Sequence, residues 1–123
     1  MDVQWNKLTA LASDEVEAVL ASLPKPLRRQ AQQLPITLER IPNSDLQGEG
    51  VEADTLGLFV GPEFSDEESV PMPPQIILFL ENLWDESGRD EEVFREEVAT
   101  TLLHELGHYL GLNEDDLTDR GLE

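Results

Sequence analysis

Residues 90–111 read Asp-Glu-Glu-Val-Phe-Arg-Glu-Glu-Val-Ala-Thr-Thr-Leu-Leu-His-Glu-Leu-Gly-His-Tyr-Leu-Gly, and this stretch decides how the chain is organised. Phe94, Val98, Leu102 and Leu106 recur every four residues, the spacing of an apolar stripe along one side of a helix, and Tyr109 and Leu110 widen it. Asp90, Glu91 and Glu92 place negative charge at the N-terminal end, where the helix dipole favours it. Gly111 stands where a left-handed C-terminal cap is needed. The pattern predicts one long helix from about Asp90 to Gly111.

Within that helix lies His104-Glu105-Leu106-Gly107-His108, which holds both histidines of the chain. Histidines four apart share a helix face, with Cβ atoms roughly 5–6 Å from each other. Two imidazoles so placed can reach one zinc ion at about 2.0–2.1 Å each. Glu105 is offset from His104 by about 100° around the helix, beside such an ion without having to bind it. A carboxylate there can take a proton from an attacking water and later give it to a leaving amine. Zinc lowers the pKa of its water to about 7, so this chemistry is available at neutral pH.

A catalytic zinc usually has three protein ligands. No third histidine exists and cysteine is absent, so the third ligand is expected to be a carboxylate or to be missing. With fifteen residues after His108, a turn at Gly111 that returns a nearby acid is the simplest route. Glu114 is the candidate, six residues after His108, the place of the third histidine in His-Glu-x-x-His-x-x-Gly-x-x-His peptidases. Asp115 and Asp116 are the neighbouring alternatives.

Working outward, Gln75 to Leu80 is a short continuous apolar run, expected as a buried strand. Glu81 to Gly88 adds a helical turn. Residues Pro62 to Pro74 hold four acids and four prolines and read as a surface loop. Thr55 to Gly61 reads as a strand with Gly57 inside it, where glycine often marks a close backbone approach or a bulge. Pro42 to Asp54 is polar and reads as a loop. Pro35 to Ile41 alternates with period two and predicts a strand. Pro26 suits the first turn of a short helix running to Leu34. Ser13-Asp14-Glu15 ahead of Val16, Val19, Leu20 and Leu23 reads as the capped start of an amphipathic helix that Pro24 stops.

A chain of 123 residues fits one domain, 1–123. Its 39% apolar content is enough for a small core. Twenty-seven acids against eight bases give a net charge of −19. The excess is uneven: residues 1–60 hold nine acids and five bases, residues 61–123 eighteen and three. Such a field repels phosphate backbones and anionic lipid, so neither nucleic acid nor membrane is an expected partner. It favours cations and basic or neutral peptides, although most of it reads as a solvated surface. No apolar run is long enough to span a bilayer. The first residues lack the basic-then-apolar pattern of a signal peptide, so a cytoplasmic location is expected.

The motif His104-Glu105-x-x-His108-x-x-Gly111-x-x-Glu114 resembles the short, metzincin-like active-site motif of a bacterial family of minimal zinc-dependent metallopeptidases. The Val16-to-Pro24 helix ending in Leu-Pro, Leu56-Gly57-Leu58-Phe59, and Pro74-Gln75-Ile76-Ile77-Leu78-Phe79 before the long helix agree with it. The resemblance covers about residues 10–118. It implies an α+β, zincin-like fold, with a small sheet packed on the motif helix, and a peptide or protein substrate. The family's usual acid at position 114 is aspartate; glutamate here is one methylene longer. Full-sized metzincins also carry a methionine turn after the motif, whereas methionine occurs here only at Met1 and Met72. Tyr109 reads as a packing residue. The Leu56-to-Gly61 strand is the candidate for holding an extended peptide through backbone hydrogen bonds.

A rival reading is a non-catalytic metal-binding or partner-binding protein on the same scaffold. Two histidines and a carboxylate also describe the ligand set of non-haem iron oxygenases. Those sites sit typically in β-barrels, not on one helix.

Overall fold

The computed structural model describes residues 3–60 and 75–110. Among them are five helices and a three-stranded mixed sheet, an α+β architecture. In chain order these are α1 (Val3–Ser22), α2 (Lys25–Ala31), β1 (Ile36–Glu39), α3 (Ser44–Gly48), β2 (Gly57–Val60), β3 (Gln75–Phe79), α4 (Leu80–Glu86) and α5 (Glu91–Leu110). The expected loop from Pro62 to Pro74 and the cap at Gly111 lie outside the described residues.

The motif helix forms as its periodicity predicts. Asp90 accepts a hydrogen bond from the Val93 backbone N–H on Oδ1 at 3.0 Å, so it caps the helix as well as meeting its dipole. Phe94, Val98, Leu102 and Leu106 are buried, and so is Tyr109. Tyr109 packs on Phe59 of β2 with ring centroids 5.8 Å apart, which bears out its reading as a core residue.

β3 is the central strand of the order β1-β3-β2. It pairs parallel with β1, Ile36 opposite Ile76 and Leu38 opposite Leu78, and antiparallel with β2, Gly57 opposite Leu78 and Phe59 opposite Ile76. A central strand has neighbours on both sides and a helix over one face, which explains the near-continuous apolar run Ile76 to Phe79. α5 packs against β2 and β3, while α1 lies against α5. Leu8, Ala12 and Val19 of α1 join Phe94, Val98, Leu102 and the β3 side chains in one apolar cluster.

Two expectations need correction. α1 starts at Val3, ten residues ahead of the expected cap, and Ser13 is an exposed residue within it. Burial of Leu8 and Ala12 in the common core extends the helix toward its N-terminus, and local cap chemistry at Ser13 has no helix end to act on. The expected loop from Pro42 to Asp54 contains α3, whose first turn is capped by Asn43: its Oδ1 accepts from the Leu46 N–H at 2.8 Å. The strands are shorter than read, and α4 begins directly at Leu80.

Two residues with positive φ, Gly88 at 70° and Arg89 at 62°, join α4 to α5. The Gly88 and Arg89 N–H groups donate to the Asp85 and Trp84 carbonyls at 3.1 and 3.0 Å, closing the end of α4. Ion pairs then fasten α1 to α5, Lys7 with Glu91 and Glu15 with Arg95, the latter at 2.8 Å. The hydrogen bond from Arg95 to Glu15 raises the guanidinium pKa above its ordinary value. Among the described residues no helix is long and apolar enough to cross a membrane.

Candidate metal centre

α5 carries His104, Glu105 and His108, of which His104 and Glu105 share a groove with Leu56 and Gly57 at the start of β2. One nitrogen of each histidine and one carboxylate oxygen of Glu105 all lie within 4.8 Å of one another. The imidazole centroids are 4.7 Å apart and the rings are inclined by 63°. Helical spacing produces this without further help, since residues three and four apart share a face.

The three side chains differ sharply in environment. His104 and His108 are exposed, while Glu105 is 8% exposed. The His108 Nδ1 atom stands 3.5 Å from Glu105 Oε1, at the outer limit of a polar contact. Removing a carboxylate from water is costly unless a partner replaces the lost solvation. A long contact to an exposed imidazole is little replacement, so the buried acid is suited to a nearby cation.

The donor set fits a zinc ion. Two nitrogens bound to one zinc lie no more than about 4.2 Å apart, given bonds of about 2.0–2.1 Å. The trio, held within 4.8 Å, needs only small rotations of exposed imidazoles to meet that limit. Glu114, the expected third ligand, lies outside the described residues, as do Asp115 and Asp116.

The segment before β2 forms the opposite wall. The Phe79 N–H donates to the Leu56 carbonyl at 2.9 Å. The Asn82 side-chain amide donates to the Ala53 and Thr55 carbonyls at 2.8 and 2.9 Å. Thus anchored, the backbone passes close over α5 at Gly57, as the glycine within the strand led us to expect. A groove of about 270 Å³ remains between the two elements, lined by Leu56, Gly57, Glu97, Thr100, Thr101, His104 and Glu105. Among the described residues β2 is an edge strand, with β3 on one side and no strand on the other.

Sequence reading missed Glu97, Thr100 and Thr101 as wall residues. Their signal was present: Glu97 and Thr101 stand seven and three residues before His104, on the same helical stripe. Asn82 had no comparable signal, because its role depends on where the 53–55 backbone comes to lie.

Fold and site together define a small α+β protein that carries a candidate metal centre on its last described helix. The chain belongs to the zincin-like metallopeptidase family, which matches it over residues 31–122. The match begins at the last residue of α2 and so includes the sheet and α5, but not α1. No curated protein matches the chain. Membership of this family implies a metal ion, for which His104, Glu105 and His108 form a possible site.

Proposed function

We propose that the protein is a zinc-dependent peptidase, in which His104 and His108 hold the metal, Glu114 completes the ligand set and Glu105 is the catalytic acid–base. The observation that carries this reading is the grouping of a buried Glu105 with two exposed histidines, beside a groove that His104 and Glu105 line. When bound, zinc supplies a Lewis acid that polarises a carbonyl and lowers the pKa of water to about 7.

The chain's own residues supply the remainder. Glu105 accepts the proton of the attacking water as oxygen adds to the peptide carbon. It then gives that proton to the departing nitrogen as the C–N bond breaks, so the carboxylate is regenerated. Burial holds the Glu105 side chain against the β2 segment: a β-carbon on Gly57 would stand 3.5 Å from Glu105 Cγ. As an edge strand among the described residues, β2 offers N–H and C=O groups to an extended peptide, which orients the bond to be cut.

Replacing Glu105 with Gln tests the proposal. Zinc content should stay near one equivalent while peptide hydrolysis falls by about a hundredfold or more, the usual contribution of a general base. Hydrolysis at the wild-type rate would disprove the role of Glu105. Zinc binding without hydrolysis in the wild type would establish the non-catalytic metal-binding alternative.

A further inference from the structure

The groove beside the candidate centre has one feature that hydrolysis itself does not require. Glu97 lies in its wall, two turns before His104 on α5 and roughly 10.5 Å away along the helix axis. Seven residues of α-helix return to within about 20° of the same direction, so Glu97 and His104 lie on one stripe that lines the groove, and His108 continues that stripe beyond it. Thr101 lies on that stripe and Thr100 beside it.

Glu97 is half-buried, yet among the described residues it has no hydrogen-bond or ion-pair partner. Other acids that face packed elements are neutralised: Glu91 by Lys7, Glu15 by Arg95 and Glu81 by Arg40. Among the described residues no lysine or arginine lines the groove, and its carboxyl groups are those of Glu97 and Glu105. Apart from His104 and Glu105 at the candidate centre, the wall around Glu97 is made of the apolar Leu56, the Gly57 backbone and two threonines. That combination suits the methylene stem and charged head of a long basic side chain.

We propose that Glu97 is a specificity-determining residue that receives a lysine or arginine side chain of an extended peptide lying in this groove. An extended chain advances about 3.3 Å per residue, so 10.5 Å corresponds to about three residues from the bond facing Glu105. Long side chains on both partners shorten this to two or three positions. The inference rests on the proposed peptidase reading for its view of the groove as a substrate channel. Its test includes binding, which does not depend on turnover.

The experiment uses the full chain with Ala/Gly-based decapeptides labelled with fluorescein, each carrying a single Lys, norleucine or Glu at successive positions. Fluorescence anisotropy measures binding to the wild type, Glu97→Gln and Glu96→Gln, each with zinc and after chelation; cleavage of the same peptides is followed by mass spectrometry. Glu96 is exposed and outside the groove, so its variant makes the same change in net charge. The wild type should prefer lysine over norleucine by about fivefold at low salt, the scale of a partly exposed ion pair. Glu97→Gln should abolish the preference and Glu96→Gln should retain it. No preference in the wild type, survival of the preference in Glu97→Gln, or equal loss in both variants would overturn the assignment. Cleavage without such discrimination overturns the role of Glu97 and leaves the peptidase reading intact. Discrimination through Glu97 without cleavage of any peptide does the reverse.

Discussion

Gly57 and Thr101 are in contact so close that the smallest side chain does not fit between them: a β-carbon on Gly57 would stand 2.5 Å from Thr101 Cγ2. Gly57 has an ordinary negative φ, so the requirement is spatial and not conformational. The contact sets the distance between β2 and the motif helix, and with it the width of the groove. Replacing Gly57 with Ala should destabilise the fold by about 1–3 kcal/mol, the cost of overpacking. Adding Thr101→Ser removes the opposing methyl and should restore at least half of the loss. Urea denaturation of the two single variants and the double variant measures the coupling; strict additivity would show that this contact is not the cause.

The candidate centre predicts a graded loss of metal. Wild-type protein purified without added metal should carry close to one zinc by plasma mass spectrometry. His104→Ala and His108→Ala should each empty the site, since each breaks the histidine pair that one helical turn presents to the metal. Glu114→Ala should weaken binding without abolishing it, while Asp115→Ala and Asp116→Ala should not. If Asp115→Ala or Asp116→Ala produces the loss instead, the third ligand is reassigned.

Chelation should lower thermal stability. A ligand that binds only the folded state stabilises it by about 2.7 kcal/mol at a hundred times its Kd. Scanning calorimetry with and without a chelator should show a decrease in Tm for the wild type and none for His104→Ala. Equal Tm values in the wild type would mean that no tight site forms.

The ends of two helices supply a contrast. Asp90→Ala removes the side-chain acceptor at the start of α5 and should cost about 1 kcal/mol. Ser13→Ala changes an exposed residue inside α1 and should leave stability within about 0.5 kcal/mol. A large loss at Ser13 would contradict a helix that begins at Val3.

These helices also show what could be read from the chain alone. α5 was legible because its cap, its charges and a four-residue apolar repeat agree over 20 residues, and local and tertiary preferences coincide there. The histidine pair and Glu105 were legible because helical spacing alone brings them together. α1 was only half legible. Leu8 and Ala12 look unremarkable until α5 covers them, whereas Ser13-Asp14-Glu15 is a strong local signal with no helix end to serve. α3 is short, with a cap at Asn43 that a polar, glycine-containing stretch concealed. The order β1-β3-β2 was not legible, because pairing Ile36 with Ile76 is a long-range choice that neither strand states by itself. Burial of Glu105 was equally hidden, since it follows from the passage of Gly57 over the helix.

The bond between Glu15 and Arg95 spans 80 positions of the chain. α1 buries Leu8, Ala12 and Val19 largely against elements that come after it, so during synthesis its apolar side stays uncovered until α5 has emerged from the ribosome. Contacts of such sequence separation form late, after their loop-closure entropy has been met. The candidate centre belongs to the same late element. A nascent or truncated chain that lacks α5 therefore has neither a closed core nor the two histidines, and acquisition of metal is tied to completion of the fold.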